Sequence, residues 1–476
     1  MSFFEIVESA NGWLNNIVWG PYMLVFLVGT GVVFTVWSKV FQVSKIKVWW
    51  KGTFGQIFGG KARKKLEGDA NITPFQAVTT ALASTVGTGN IAGVATAIFF
   101  GGPGAVFWMW VSGFFGMMTK YAEVVLALKY RETDANGTHH GGPMYYIEKG
   151  LKMKWLAMIF AIFGTLATFG IGNMTQANAI AGGLNDTVLI LGYTLPNIGN
   201  SGVSVLSLII GIAIAIIVAL VIIGGIKRIA TVTEKLVPFM SIFYILGGII
   251  ILVMNAGRLP AAIGVIMAGA FSTEKAVIGG ISGYVIMMAM RRGIARGVFS
   301  NEAGMGSAPI AHAASNAKDP VQQGLWGVFE VFVDTIIICT ISGLVVVTAG
   351  LYEGSDRGIT LVMASFIKTF GGFGGIFVAI AVLCFAGSTI LGWSYYGQQC
   401  LGYLTNNNKG VDLCYKVIFS LLTIVGAIGG QQAGLALIWD IADTLNGLMA
   451  IPNLIALLLL SKVVMDLTKQ YLAKTK

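Results

Sequence analysis

The first chemical signal is a polar interruption in an apolar stretch. Between Asn71 and Thr119 there is no Asp, Glu, Lys or Arg, yet the first half of that stretch is broken by Thr85-Val86-Gly87-Thr88-Gly89-Asn90. Glycine costs about 1 kcal/mol relative to alanine inside a helix, and backbone groups freed at a break find no water in lipid. A break of this kind is tolerated where the backbone lines a cavity. The N–H groups opening the second half-helix then face an anion, and carbonyls freed from the first half can hold a cation. The plainer alternative, a small-residue face for close helix packing, does not require an asparagine at mid-span.

Further candidates lie along the chain. Ser388-Thr389 puts adjacent hydroxyls in an otherwise apolar helix, where they can serve a hard cation or bond the carbonyls of their own helix. Thr389 and Trp393 share a face by their i,i+4 spacing, so Trp393 can either cap a small side chain or simply pack. Asn173 and Gln176, at i and i+3, suit an uncharged amino-acid ligand or interhelical bonding, and Gln176 is the favoured substrate contact. Among ionisable residues within apolar segments, Glu123, Asp334, Asp440 and Asp443 are candidates for function, with gating or packing roles expected for the two on one face, Asp440 and Asp443. Glu302 is placed to pair with Arg296. His139, His140 and His312 have no ligand-spaced partner for zinc, no phosphate-binding glycine loop powers the chain with ATP, and no nucleophile with a base points to an enzyme.

These residues need elements to hold them. Of 476 residues 55% are hydrophobic and 11% charged, against roughly 25% charged in soluble domains, so the chain is an all-α polytopic membrane protein. Lys plus Arg outnumber Asp plus Glu by 31 to 21. The excess is assigned to topology, since cationic loops stay in the cytoplasm, and implies no nucleic acid. Cys339, Cys384, Cys400 and Cys414 are small hydrophobes here, without disulfides or metal. The segment before Trp13 lacks the basic start of a cleaved signal, so the first helix is expected to be retained.

Hydropathy predicts about eleven spans. The first is Ile17–Trp37, followed by a basic segment from Lys39 to Lys65 that places the N-terminus outside and the C-terminus in the cytoplasm. The broken Phe75–Phe100 comes next, then a return to Lys129, Trp155–Gly183, an outer loop over 185–202, Val203–Ile226 and Leu236–Met254. Leu259–Ser272 reads as an amphipathic surface helix. Ala276–Ala317 reads as a second broken helix, with its break near Phe299–Gly304; a rival position is Gly279–Gly283. Trp326–Ala349, Gly374–Gly402, Val417–Ile428 and Ala433–Leu460 complete the count. Setting the first span aside leaves five plus five, each five opening with a broken helix, which is the pattern of an inverted repeat. The divisions are 1–70, an extra helix with the basic segment; 71–257 and 258–463, the repeats; and 464–476, a cytoplasmic tail.

Gly101-Gly102-Pro103-Gly104-Ala105-Val106-Phe107-Trp108-Met109-Trp110-Val111-Ser112-Gly113 resembles the signature of the alanine or glycine:cation symporters. Arg296-Gly297-Val298-Phe299-Ser300-Asn301-Glu302-Ala303-Gly304-Met305-Gly306-Ser307-Ala308-Pro309 is similar to that family's other hallmark, and the likeness runs from about Gly20 to Ser461. The resemblance implies the leucine-transporter fold, seated in the plasma membrane, and sodium-driven uptake of alanine or glycine; a proton-coupled carrier of small neutral amino acids is the alternative. It implies no cofactor beyond the co-transported sodium ion and no obligate protein partner. By position, it assigns the Thr88 and Gly89 amides to the substrate carboxylate, with Gln176, Phe299, Ser300, Asn301, Thr389 and Trp393 around the substrate. It assigns the Ala83, Val86 and Phe385 carbonyls with the Ser388 and Thr389 hydroxyls to sodium, and the Thr85 carbonyl with the Asn90 amide oxygen to a cation beside the carboxylate.

Overall fold

The structure, a computed structural model, describes residues 3–58, 71–199, 202–271, 282–429 and 433–474. Almost everything described is helix; one hairpin, Glu132–Thr133 against His139–His140, supplies the paired strands. Helices such as Val205–Ile222 turn Ile209, Ile212, Ile216 and Leu220 outward while their opposite faces are buried. Apolar side chains on the exposed face are what a lipid surround requires.

Among the described residues nine helices are long and apolar enough to span a membrane, and a tenth span is the bent pair Pro74–Thr85 and Gly89–Gly101. The eleventh expected span is Ser282–Asn301 with Ala308–Ala313, whose first helix carries Arg291, Arg292 and Arg296. Three guanidiniums remove it from any purely apolar class.

Several boundaries differ from the sequence expectation. The helix expected to end at Gly183 continues to Ile190, because Asn185 donates to Ser207 Oγ at 2.8 Å and Thr187 bonds back to the Gly183 carbonyl, so these polar residues are satisfied without leaving the helix. The outer loop is correspondingly shorter. Leu259–Phe271 is helical but not amphipathic: Ile263, Val265 and Met267 are exposed beside buried Ala262 and Ile266, a surface suited to lipid rather than to water. The 279–283 position for the second break falls mostly outside the described residues.

Both broken helices are built from local rules. Thr73 caps the first, accepting from the Gln76 amide while the Gln76 side chain accepts from the Thr73 amide, each at 3.1 Å, with Pro74 at the first helical position. Such a cap is typically worth about 1 kcal/mol. The helix stops at Thr85, resumes as a wide π-helical turn over Gly89–Gly93 and continues as Val94–Gly101, with a bend of 50°. The second helix stops at Asn301 and resumes at Ala308. Between them Gly304 and Gly306 take φ of 89° and 83°, which glycine adopts without strain, and Glu302 takes φ of 54°. Glu123 Oε1 accepts from the Gly304 and Gly306 amides at 3.1 and 2.9 Å and from Asn453 Nδ2 at 2.6 Å, replacing the water that lipid cannot supply. Near their far ends the two broken segments join: the Asn316 amide donates to the Ile72 carbonyl at 2.8 Å, and Arg131 reaches the Ser315 and Ala317 carbonyls at 2.7 and 2.8 Å.

Candidate functional site

The long helix Gly372–Thr405 packs along Pro74–Thr85 and brings its hydroxyl pair to the first break. Ser388 Oγ donates to the Phe385 carbonyl at 2.8 Å and across to the Ala83 carbonyl at 3.2 Å; Thr389 Oγ1 donates to the Phe385 carbonyl at 3.0 Å. A Cβ at Gly87 would collide with Thr389 Oγ1, so glycine is what lets the break approach this hydroxyl. Two carbonyls and two hydroxyls from different helices thus converge in a fully buried place. Neutral oxygen donors of this kind suit a hard cation. Val86 is buried beside them and its amide closes the first half-helix on the Leu82 carbonyl at 2.8 Å. Thr85 returns its hydroxyl to the Ala81 carbonyl at 3.2 Å, so its side chain stays with its own helix.

On the other side of the break, Thr88 Oγ1 donates to Gln176 Oε1 at 3.0 Å, while Gln176 Nε2 donates to the Ile171 carbonyl at 3.1 Å. Asn173 does not accompany it: its Nδ2 donates to the Phe419 carbonyl at 2.6 Å and binds the neighbouring helix. The difference arises from the π-helical turn Gly170–Met174, which alters the rotation per residue on which the i,i+3 expectation rests. Trp393 lies tight against this turn, since a Cβ on Gly172 would overlap the Trp393 side chain.

The two breaks face each other. A Cβ at Gly89 would stand 3.3 Å from Ser300 Cα and 3.5 Å from Phe299 Cδ1. Asp334, fully buried on a third π-helical turn, Phe332–Cys339, ties them together. Asn90 Nδ2 donates to Asp334 Oδ1 at 2.6 Å, and Ser300 Oγ donates to Asp334 Oδ2 at 2.9 Å. Asn90 Oδ1 meanwhile accepts from the Gly87 amide at 3.0 Å, so the asparagine clamps its own loop with one end and reaches Asp334 with the other. Asn301 turns toward Thr335, donating to Thr335 Oγ1 at 3.0 Å and accepting from the Ala303 amide at 2.9 Å.

Glu302 departs from expectation. Its Oε1 accepts from Trp393 Nε1 at 2.9 Å and its other oxygen from Ser307, while Arg296 stacks over the Phe299 ring at 5.2 Å. Its left-handed backbone turns the carboxylate away from the helix that carries Arg296 and toward Gly372–Thr405. Asp440 and Asp443, one turn apart on the helix Ala433–Leu459, differ in their surroundings: Asp440 is exposed, whereas Asp443 accepts from Asn15 Nδ2 at 3.3 Å.

A buried polar network beside the second break was not anticipated. Lys120 Nζ lies 3.5 Å from Glu330 Oε1, and His312 Nε2 meets Glu330 Oε2 at 2.9 Å, all with fully buried side chains. Gln323 reaches His312 Nδ1 at 2.9 Å. Lys120 and Glu330 lie within predicted spans, so the charge-in-span rule applied to Glu123 and Asp334 covers them as well. Nothing in their spacing pairs them, because their helices are distant in sequence.

The chain matches the sodium:alanine symporter family over residues 4–476. It is 48% identical, over 99% of its length and 98% of the relative's, to a sodium/alanine symporter of Methanococcus maripaludis. It is 43% identical to an uncharacterized transporter of Haemophilus influenzae, with 99% and 97% of the two chains covered. A Bacillus subtilis protein named a probable sodium/glutamine symporter is 35% identical, with 99% and 92% covered.

Proposed function

This chain is a member of the sodium:alanine symporter family, a transporter and not an enzyme, and we propose that it imports alanine or glycine with sodium by alternating access. The observation that carries this reading is the meeting of the Ala83 and Phe385 carbonyls with the Ser388 and Thr389 hydroxyls beside the Gly87–Gly89 break. These oxygens, with the Val86 carbonyl, hold sodium. The Thr88 and Gly89 amides open the second half-helix and take the substrate carboxylate. The Asn90 amide oxygen keeps one lone pair beyond its bond to Gly87, and with the Thr85 carbonyl it serves a cation next to that carboxylate.

Coupling follows from shared backbone. Sodium draws the Ser388–Thr389 helix and the first half-helix together, and that fixes the bend presenting Thr88 and Gly89 to the substrate. One charge moving through 100 mV contributes roughly 2.3 kcal/mol, enough for about 50-fold accumulation of a zwitterion before any sodium gradient is added. Gln176 and Trp393 bound the side-chain space, with Thr389, Phe299 and Ser300 completing it and Asn301 supporting the wall from behind. Tight packing of Trp393 on the Gly170–Met174 turn supports a pocket that admits hydrogen or methyl and rejects leucine. In this reading 71–257 and 258–463 are inverted repeats that rock about the paired breaks, with the N-terminus outside and the C-terminus in the cytoplasm of a plasma membrane.

The test is uptake of labelled alanine and glycine into proteoliposomes under an inward sodium gradient, against a proton gradient of equal size. Accumulation that collapses with the sodium gradient is expected. Accumulation on protons alone would transfer the coupling role to the buried carboxylates, and accumulation of glutamine instead would refute the pocket size.

A further inference from the structure

Arg291, Arg292 and Arg296 sit in the last turns before the second break, and an arginine facing lipid at the centre of a spanning helix costs about 2.5–3.5 kcal/mol. They face a cavity of about 80 Å3 instead. One of its walls comes from outside the five-plus-five arrangement. Asn15 belongs to the N-terminal helix Phe3–Val18, Trp19 to the turn that follows it, and Asp443 to the helix Ala433–Leu459. Asn15 Nδ2 and Trp19 Nε1 fasten that wall by donating to the Asp443 carboxylate and backbone carbonyl at 3.3 and 3.2 Å.

One ring stands between the cavity and the first break. Phe299 lines it, and the same ring lies beside Gly89 of the first break. Arg296 stacks on that ring and Arg292 on Phe100, each 5.2 Å from the ring centre, which holds the planar guanidiniums in fixed positions. Among the described residues three guanidiniums oppose one carboxylate, so the cavity they line is cationic with one anionic wall. A guanidinium binds a carboxylate through paired N–H donors, and Asp443 offers the counter-charge for an ammonium. An inorganic anion would use only the first of these.

We propose that this cavity is a transient second binding site, which receives the zwitterionic amino acid, carboxylate to the arginines, before it passes Phe299 to the Thr88 and Gly89 amides. The proposal rests on the reading of those amides as the substrate site. It also gives the N-terminal helix a role in transport, as one wall of the approach. A station on the path lowers the barrier in both directions and leaves the affinity of the inner site unchanged.

Stopped-flow tryptophan fluorescence on the purified full chain, with L-alanine in saturating sodium, separates these quantities. Arg296→Gln should slow association about tenfold, the low end of electrostatic acceleration, and slow dissociation by the same factor, with Kd within twofold. Arg291→Gln should act in the same direction, and Arg296→Lys should recover part of the rate. Unchanged association in both Gln variants would overturn the proposal. So would a Kd that rises as association falls, which would place Arg296 in the inner site. Replacing chloride by gluconate at constant sodium should change nothing; faster alanine association in gluconate would identify the cavity as an inorganic-anion site. Absence of sodium-dependent alanine binding in the unaltered protein would overturn both this proposal and the reading beneath it, whereas normal binding indifferent to Arg296 would overturn this one alone.

Discussion

Replacing Ser388 with alanine removes one oxygen from the proposed sodium site and little else. The hydroxyl bonds the Phe385 carbonyl at 2.8 Å and the Ala83 carbonyl at 3.2 Å, and the residue is fully buried in mid-helix, where alanine is well tolerated. Loss of one neutral bridging hydrogen bond costs the fold about 0.5–1.5 kcal/mol, too little to unfold it. Loss of an interaction with a charged partner costs about 1.5–3 kcal/mol, so half-saturating sodium should rise roughly 10- to 150-fold. Linkage requires a matching change in substrate affinity: at low sodium the alanine KM should rise, and at saturating sodium it should return to its original value. The assay is initial alanine uptake into proteoliposomes across a matrix of sodium and alanine concentrations. A half-saturating sodium concentration within twofold of the original would refute the placement of the ion. Recovery of neither parameter at high sodium would show that Ser388 supports the fold and not the cation.

Asp334→Asn turns one acceptor into a donor opposite Asn90 Nδ2 and Ser300 Oγ, so uptake should fall at least tenfold with the protein still monodisperse on gel filtration; undiminished uptake would remove Asp334 from the coupling between breaks. Lys120→Met leaves Glu330 buried without its cation and should destabilise by about 3–5 kcal/mol, read as a fall in Tm, and the double change with Glu330→Gln should recover most of it. In the hairpin outside the spans, slight burial raises the Asp134 carboxyl, but the Thr138 amide, the His140 side chain and the Asn136 amide outweigh it and hold the group below the usual aspartate value. Its support for the hairpin is therefore present above about pH 4 and lost as pH falls through the lowered pKa, so amide exchange over 134–139 should accelerate only in acid, and at pH 7 only in Asp134→Ala.

Much of the architecture was legible because lipid is a severe solvent. An apolar stretch long enough to span and free of charge has few alternatives, and glycine with asparagine inside one must line something. The Gly87–Asn90 break, the Ser388-Thr389 pair and the need for a second break near Phe299–Gly304 all follow from that rule. Spacing on an ideal helix carried less. It aligned Asn173 with Gln176, and the wider turn at Gly170–Met174 separated them. It gave Arg296 to Glu302, and a single left-handed residue redirected that carboxylate to Trp393.

The sequence by itself therefore determined the solvent, the helices, the places where helices must break and the kinds of atom exposed there, since each depends on residues within a few turns of one another. Only the tertiary structure decided which atoms meet. Asp334 joining Asn90 to Ser300, Glu123 satisfying Gly304 and Gly306, and Lys120 neutralising Glu330 are pairings between helices far apart in the chain. No local periodicity encodes them, because they are set by how the helices pack and by the requirement that every polar group removed from water find its partner elsewhere.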